Sequence, residues 1–428
     1  MRKSNEIIGL VDADCFYISC HRHFEPKLRG RPVVALSSND GNVIARSPES
    51  KKLGIKMGQP FHEVRPLMLS HGLEIRSANF PLYGDLSRRL YAAIASQVPE
   101  IDIYSCDECS VRLSGMPGDL EEIGRKIQAA VLKQTGLPTG VGIGPNRTLA
   151  KLANFAAKKW KDTTGGVTSL IDPADRVAKM LAYADVGDIW GIGPRISARL
   201  NLSGIEKANQ LAMCDPARIR RDYSIVVERT VRELRGEYQF GFGEVAGPKQ
   251  QIACTRSFGS RVYDKASLAT ALATYTSRVA VKLRKQDSRA QIITIFIRSS
   301  AFDTRGESYS RSAQWEFSRP SNDTRELTHA VLAMLEHIFR AGIAYAKAGV
   351  IVSRIVDNKG YVDDLFAAPA LPKSEQLMAS IDRINTQFGK DTLRFGRTSG
   401  DRYWGMKRDY LSPKSTTAWS DIPEVKTL

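Results

Sequence analysis

The sequence predicts a multidomain α+β protein, and three observations support this class. The 428 residues are too many for one hydrophobic core and fit two to four domains. With 42% apolar and 25% charged residues, the composition is typical of a globular chain. Short apolar runs rich in β-branched residues alternate with amphipathic helical patterns in two separate parts of the chain, so we expect two sheets packed against helices.

The first part of the chain predicts a ferredoxin-like sheet. Its predicted elements are a strand at 7–12, a helix at 85–98, a strand hairpin at 101–113, a helix at 120–135, and a strand, Gly-rich turn and helix at 138–160. The first run, IIGLVD, is typical of a buried strand, and the two intervening helices carry apolar residues at steps of three or four. Strand, helix, hairpin, helix, strand is the ferredoxin-like order, with the helices on one face.

Glycines interrupt a helical pattern within residues 186–205. Gly191 and Gly193 precede Pro194, which is a favourable first residue for a new helix. This pattern predicts a helix-hairpin-helix, whose turn amides can bind a phosphate. An ordinary Gly-rich turn is the alternative. Residues 236–250, GEYQFGFGEVAGPKQ, then predict an interdomain linker.

The second part of the chain predicts a separate βαββαβ domain that is strongly basic. Its predicted elements are a strand near 251–258, a helix at 266–285, strands at 290–298 and near 312–317, a helix at 324–341 and a strand at 347–355, followed by a loop-rich tail with a short helix at 375–384. Residues 246–355 hold 17 Lys/Arg and 8 Asp/Glu, a net +9 out of the whole chain's +16. Such a module suits a polyanion-binding surface, although a solvated charged face has the same composition.

The sequence also provides evidence about the cellular location of the protein. We expect neither a signal peptide nor a membrane-spanning segment, because no apolar run approaches ~20 residues. Six cysteines are few for this length and favour a reducing cytoplasm.

The stretch YSCDECS (104–110) offers two kinds of chemistry. Cys106 and Cys109 could form half of a zinc site or a redox pair, but structural zinc needs four ligands and a redox pair usually opens a helix. Asp107 and Glu108, with Asp12 at the end of the first strand, could instead converge at one sheet edge. Three converging carboxylates need divalent cations, and oxygen ligands select Mg²⁺. Exposed turn carboxylates are the alternative.

Several motifs together resemble those of the Y-family (translesion) DNA polymerases, in order and spacing. They are VDADCFYISC, VIARSPESKKLGIKMG, YSCDECS, TGVGIGPNRTLAKLANFAAKKW and DIWGIGPRISARL. Two further stretches, VERTVRELRGE and the tail with SEQLMASIDRIN and LSPKSTT, are similar to the UmuC-type branch of the family. The resemblance covers residues 7–355 and the tail.

The resemblance implies a right-hand polymerase. The expected domains are a ferredoxin-like palm at 1–15 and 80–170, small fingers at 16–79, a helix-hairpin-helix thumb at 171–235, the linker at 236–250, a βαββαβ little finger at 251–355 and a partner-binding tail at 356–428. The expected activity is error-prone translesion synthesis with dNTPs in an SOS-type response, using two Mg²⁺ ions and no proofreading exonuclease.

The resemblance also implies roles for particular residues. Asp12, Asp107 and Glu108 match the metal-binding carboxylates, with the carbonyl of Ala13 as an extra ligand. Tyr17 matches an aromatic steric gate against ribonucleotides, beside Phe16. The expected triphosphate-binding lysines are Lys51 and Lys158; Arg46, Lys52 and Lys159 are further basic candidates. The expected DNA contacts are Gly191, Gly193, Arg195, Arg256 and Arg298.

The chain departs from the family pattern at His21, where a Glu is usual, and at the two cysteines, which we interpret as packing residues. The resemblance implies primer-template DNA as substrate and a processed UmuD-type dimer and RecA as partners. A sliding-clamp motif at Leu365-Phe366 is degenerate. The alternatives are a catalytically silent DNA-binding relative, a zinc or redox regulator, and another palm enzyme such as a nucleotide cyclase.

Overall fold

A computed structural model describes residues 6–171, 174–243, 247–302, 307–359, 371–398 and 403–422. The chain divides into two units, one made of Met1–Val245 with Asp409–Leu428 and the other of Ala246–Arg408. The chain therefore leaves the first unit within the predicted linker and returns to it near the C-terminus. No helix among the described residues is long and apolar enough to cross a membrane.

The first unit contains two sheets and thirteen labelled helices among its described residues. In chain order its elements are β1 (Ile8–Ala13), α1 (Phe16–Phe24), β2 (Val33–Leu36), β3 (Val43–Arg46), α2 (Pro48–Lys52), α3 (Phe61–Val64), α4 (Leu67–Ser70), β4 (Glu74–Ser77), α5 (Phe80–Ala95), β5 (Ile101–Ile103), β6 (Glu108–Arg112), α6 (Leu120–Thr135), β7 (Thr139–Gly144), α7 (Arg147–Lys159), α8 (Lys161–Thr164), β8 (Val167–Ser169), α9 (Ala174–Tyr183), α10 (Pro194–Leu202), α11 (Ala208–Met213), α12 (Pro216–Asp222) and α13 (Ile225–Leu234). Short 3₁₀ turns lie at Pro26–Leu28, Ser38–Asp40, Val186–Asp188 and Trp419–Asp421.

The main sheet has the strand order β5-β6-β1-β7-β8. The central strand β1 is antiparallel to both β6 and β7, and β8 is added parallel to β7. Strands β5, β6, β1 and β7 have the ferredoxin-like order. The predicted α+β class and the ferredoxin-like sheet are therefore confirmed. The helix predicted at 85–98 instead spans Phe80–Ala95, because the Asn79 side chain caps it by accepting from the Leu82 amide.

The prediction of helices on one face of this sheet is incomplete. Helices α5 and α6 share one face, where Val11, Val111 and Val141 lie in a common core. Helix α7 covers the opposite face, because β7 (TGVGIG) presents only glycines there. A Cβ atom at Gly142 would lie 2.0 Å from the backbone nitrogen of Asn154 in α7. The glycines therefore let α7 approach the strand closely.

A second, three-stranded sheet of order β3-β2-β4 was not predicted. The C-terminal segment 409–422 packs beside it: the Ser77 amide donates to the Tyr410 carbonyl at 2.9 Å, and the Tyr410 amide donates to Ser77 Oγ at 3.0 Å. Asn79 Nδ2 also donates to Ser412 Oγ at 3.0 Å. The tail thus provides part of the first unit's structure.

The second unit has the predicted βαββαβ order. Its elements are β9 (Ile252–Val262), α14 (Lys265–Lys285), β10 (Ser288–Ser299), β11 (Ser310–Ser321), α15 (Thr324–Ile338), β12 (Tyr345–Asp357) and α16 (Ser374–Gln387), with a 3₁₀ turn at Gly396–Thr398. The sheet order is β11-β10-β12-β9 and all three pairings are antiparallel, so this topology differs from the ferredoxin-like order of the first unit. Helices α14 and α15 pack on one face, and Trp404 from the tail completes this core.

Candidate active site

Two of the three predicted carboxylates face each other across neighbouring strands. The register of β1 and β6 pairs Asp12 with Glu108, and that of β1 and β7 pairs Asp12 with Gly140. Directly opposite residues of an antiparallel pair project from the same face, so both carboxylates lie on the face that α7 covers. Such a pair requires a compensating positive charge.

Lysines of α7 supply this charge. Lys151 Nζ lies 2.7 Å from Glu108 Oε2 and 3.3 Å from Asp12 Oδ2, so it bridges the two carboxylates. Lys158 Nζ lies 2.6 Å from Asp12 Oδ1 and 3.1 Å from Asp14 Oδ1. Burial alone would lower the pKa of Lys158, but Asp12 and Asp14 outweigh burial and raise that pKa above its usual value. The Lys158 ammonium group therefore remains charged beside the carboxylates.

The third carboxylate, Asp107, immediately precedes β6. Its backbone carbonyl accepts from the Ala13 amide at 2.9 Å, and its side chain accepts from Ser105 Oγ at 2.5 Å. Among the residues that the structure describes, no group of three or more His, Cys, Asp or Glu side chains lies close enough together to hold a metal ion. The fold thus brings Asp12 and Glu108 together, with Asp107 beside them on the hairpin.

Tyr104 holds Glu108 in place, and the sequence analysis did not identify it. The Tyr104 hydroxyl donates to Glu108 Oε1 at 2.6 Å. Burial, followed by the charge of Glu108, raises the pKa of Tyr104 above its usual range, so the phenol remains a donor. Its ring lies 5.9 Å from that of Trp190, the residue before Gly191.

The predicted gate residues have different environments. Tyr17 is partly buried, and its hydroxyl lies 3.7 Å from Cys106 Sγ. Burial, together with the contact to Cys106, raises the pKa of Tyr17. Phe16 is only 3% exposed and belongs to the core below the main sheet. Its ring therefore packs inside the unit and Tyr17 provides the accessible surface.

The two cysteines of the CxxC pattern also differ. Cys109 pairs with Val11 in the register and is fully buried in the core, whereas Cys106 is exposed beside Asp107. Burial and then the neighbouring Glu108 raise the pKa of the Cys109 thiol to about 12. Cys109 is therefore a packing residue, as predicted, whereas this interpretation is wrong for the exposed Cys106.

The basic candidates are distributed unequally around the site. The ammonium of Lys159 lies 4.6 Å from the centre of the Tyr183 ring, and Lys151, not Lys159, joins Lys158 at the carboxylates. Residues 151 and 158 are two helical turns apart and share a face, whereas residue 159 is rotated by about 100°. Lys51 is exposed in α2, as is Lys52, and Arg46 donates to the Ile55 carbonyl.

The predicted helix-hairpin-helix has an unusually short first element. It is a 3₁₀ turn at Val186–Asp188, followed by α10. Gly191 has φ 88°, a left-handed conformation that glycine adopts readily. Gly193 is the N-cap of α10 and has no side chain to satisfy the first amides, and Arg195 is exposed.

The strand register assigns the two predicted DNA-contacting arginines of the second unit to opposite faces of its sheet. Arg298 pairs with Lys347 and Ser310, whereas Arg256 pairs with Ala348, a fully buried residue of the helix-covered face. Because side chains alternate along a strand, Arg298 and Lys347 share the open face and Arg256 does not. Both arginines are exposed.

Comparison with known proteins identifies relatives over nearly the whole chain. Family models match residues 11–154 (impB/mucB/samB family), 249–365 (the C-terminal domain of the same family) and 375–425 (a domain of unknown function). Protein UmuC of Salmonella typhimurium is 42% identical over 424 residues, 98% of this chain and 100% of that protein. Protein ImpB of Salmonella typhimurium is 39% identical, with 97% and 99% covered.

More distant similarities agree with these matches. DNA polymerase IV of Dehalococcoides mccartyi is 24% identical, over 91% of this chain and 96% of that protein. A chimeric Y-family DNA polymerase of known structure has a TM-score of 0.65 at 21% identity and covers 82% of this chain and 100% of its own. This structural similarity supports the fold.

Proposed function

The chain belongs to the impB/mucB/samB family and is a DNA-directed DNA polymerase, and we propose that it performs error-prone translesion synthesis in an SOS-type damage response. It would add dNTPs to a primer 3′-hydroxyl without proofreading. The observation that carries the proposal is the Asp12–Glu108 pair on the central strands, with Asp107 on the adjoining hairpin.

The donor set fits magnesium. Carboxylate oxygens of Asp12, Asp107 and Glu108, with the carbonyl of Ala13, are the hard ligands that Mg²⁺ prefers, and the two lysine ammonium groups beside Asp12 and Glu108 support a position that attracts cations. Two bound Mg²⁺ ions would supply the charge that activates the primer hydroxyl and stabilises the departing pyrophosphate.

The chain's own residues would bind and orient the nucleotide. Lys158 and Lys151, which pair with carboxylates in this structure, would exchange these partners for triphosphate oxygens. The exposed Lys51 of α2 would contact the triphosphate from the fingers. Tyr17 would lie under the sugar and exclude a ribose 2′-hydroxyl, with Phe16 as its packed support.

DNA would be held mainly through its backbone. The uncapped amides after Gly193, the left-handed turn at Gly191 and the exposed Arg195 support phosphate binding by the thumb. Arg298 and Lys347 on the open face of the little finger would contact the duplex, with Arg256 at the sheet's edge. Such contacts predict salt-sensitive binding with little sequence preference.

The partners are inferred from the family. We propose a processed UmuD-type dimer and RecA as partners and a bacterial cytoplasmic location. The clamp motif at Leu365-Phe366 lies outside the described residues.

Primer extension with Mg²⁺ and dNTPs, with and without a UmuD-type dimer and RecA filament, tests the proposal. We expect Asp12→Asn, Asp107→Ala and Glu108→Gln to abolish extension. Glu100→Gln is the matched control, because this carboxylate lies beside the same hairpin but pairs with Arg112. Absence of extension by the unchanged chain under all conditions, with DNA binding retained, would favour a catalytically silent DNA-binding protein.

A further inference from the structure

The ring of Tyr17 rests on a second tyrosine. Its centroid lies 4.2 Å from that of Tyr83, with an interplanar angle of 13°, so the two rings stack face to face. Phe80 contacts both rings edge-on, at 6.5 Å from Tyr17 and 5.9 Å from Tyr83. Because α5 carries Tyr83 and Phe80, this helix forms the surface on which the Tyr17 ring lies.

Tyr83 is itself fixed by His21, one of the positions at which this chain departs from the family pattern. His21 Nε2 and the Tyr83 hydroxyl lie 2.8 Å apart, and the side chains are 1% and 2% exposed. Burial lowers the pKa of His21 to about 4, so the imidazole is neutral near pH 7. A buried hydroxyl without such a partner would be destabilising, so the bond favours one position of the Tyr83 ring.

The other ring nitrogen of His21, Nδ1, has no hydrogen-bond partner among the described residues. It lies 3.9 Å from Glu25 Oε1, too far for a hydrogen bond, and Glu25 makes two bonds to Arg76, at 2.9 and 2.5 Å. A cavity of about 720 Å³, lined in part by His21, Leu82 and residues 411–415, lies beside it. The hydrogen bond to Tyr83 is therefore the main directional contact of this imidazole.

We propose that Tyr83, positioned by His21, is a specificity-determining residue that sets the position of the Tyr17 ring and so the exclusion of ribonucleotides. The inference rests on the proposed function of Tyr17. A tightly supported ring cannot move aside for a 2′-hydroxyl, whereas a loosened ring can. Loss of this support should therefore change sugar selection more than it changes the rate with dNTPs.

The experiment compares kcat/KM for a dNTP and the matching rNTP in single-nucleotide primer extension. Tyr83→Phe keeps the ring but loses the hydroxyl, and we expect the dNTP preference to fall roughly five-fold. Tyr83→Leu removes the stacking surface, and a fall of roughly ten-fold or more is expected. Tyr345→Phe is the control: this buried hydroxyl bonds the Arg340 carbonyl in the second unit, and its loss should leave the preference unchanged.

The Tyr17→Ala variant separates the proposed gate function of Tyr17 from the proposed role of Tyr83. If Tyr17→Ala admits rNTPs but both Tyr83 variants retain the wild-type preference, the role of Tyr83 is wrong and the gate stands. Equal loss of dNTP and rNTP incorporation in the Tyr83 variants also overturns the inference, because it indicates a purely structural role. An unchanged preference in Tyr17→Ala, with dNTP extension intact, would refute the gate and this inference while leaving the polymerase activity established.

Discussion

The hydroxyl of Tyr104 donates a 2.6 Å hydrogen bond to Glu108, the carboxylate that lies opposite Asp12. Tyr104 belongs to the same hairpin as Glu108 and also contacts Trp190, next to the helix-hairpin-helix turn. The orientation of a predicted metal-binding carboxylate thus depends on an aromatic residue that lies four positions before it.

Tyr104→Phe should weaken this orientation without removing the ring contact. We expect kcat to fall roughly five- to ten-fold and the Mg²⁺ concentration needed for half-maximal extension to rise, because outer hydrogen bonds orient metal ligands. Primer extension over a Mg²⁺ titration measures both. Tyr403→Phe is the control, since its hydroxyl bonds Asp264 at 3.1 Å in the second unit. A wild-type Mg²⁺ profile for Tyr104→Phe would contradict the assignment.

Lys151→Met should leave the repulsion between Asp12 and Glu108 without the positive charge that now compensates it. Without Mg²⁺ we expect a loss of about 1 kcal/mol in the free energy of unfolding, since the pair is partly solvated. Added Mg²⁺ should raise the melting temperature more in this variant than in the wild type. Thermal unfolding with and without Mg²⁺ tests this, with Lys159→Met as the control on the same helix. Equal responses in both variants would argue against a bridging role.

The lowered pKa of His21 predicts that the free energy of unfolding depends on pH. Its folded-state pKa, about 4, lies below the ordinary value of 6.5, so the unfolded chain binds the proton more readily. The stability associated with neutral His21 is complete above pH 6.5 and falls as pH decreases toward 4, with Glu25 opposing and Arg76 reinforcing this effect. Between pH 7 and pH 5 the loss is about 2 kcal/mol.

Denaturant unfolding at pH 7 and pH 5 measures this dependence. His21→Gln should reduce the difference in unfolding midpoint between the two pH values, whereas His62→Gln, at an exposed position, should not. The same pH difference in His21→Gln and wild type would refute the prediction.

The C-terminal segment should contribute to the stability of the first unit. Tyr410 packs edge-on against Phe61, with centroids 5.6 Å apart, in addition to its backbone bonds with Ser77. Tyr410→Ala should lower the free energy of unfolding by about 1–3 kcal/mol and make residues 409–422 more susceptible to protease. Trp419→Ala, at a position 91% exposed, is the control. Unchanged protease resistance would show that the docking contributes little.

Arg298 and Arg256 should contribute differently to DNA binding. Arg298→Ala removes a charge from the face that also carries Lys347, so affinity should fall and the salt-dependence slope should decrease by about one. Arg256→Ala should have a smaller effect because its register position belongs to the helix-covered face. Anisotropy titrations over a range of salt concentrations compare them. A larger effect of Arg256→Ala would place DNA on the other side of the sheet.

Much of the fold could be predicted because the sequence patterns that indicate it involve residues close together in the chain. The apolar steps in α6, the strand with Asp12 and the two βαββαβ orders are readable from periodicity and turns. Two features were missed. The three-stranded sheet rests on short runs, VVAL and VIAR, and the position of α7 depends on three alternating glycines whose effect appears only when a helix packs on them.

The sequence by itself determined the element order of the two βαββαβ sheets, the basic charge of the second unit and the choice of Asp12, Asp107 and Glu108 as candidate carboxylates, because these depend on neighbouring residues. Only the tertiary structure decided that Lys151 bridges the carboxylates, that His21 fixes Tyr83 beneath Tyr17, and that the tail returns to the first unit. These pairs are separated by tens to hundreds of residues. Their contacts depend on how helices and strands pack, which no local pattern specifies.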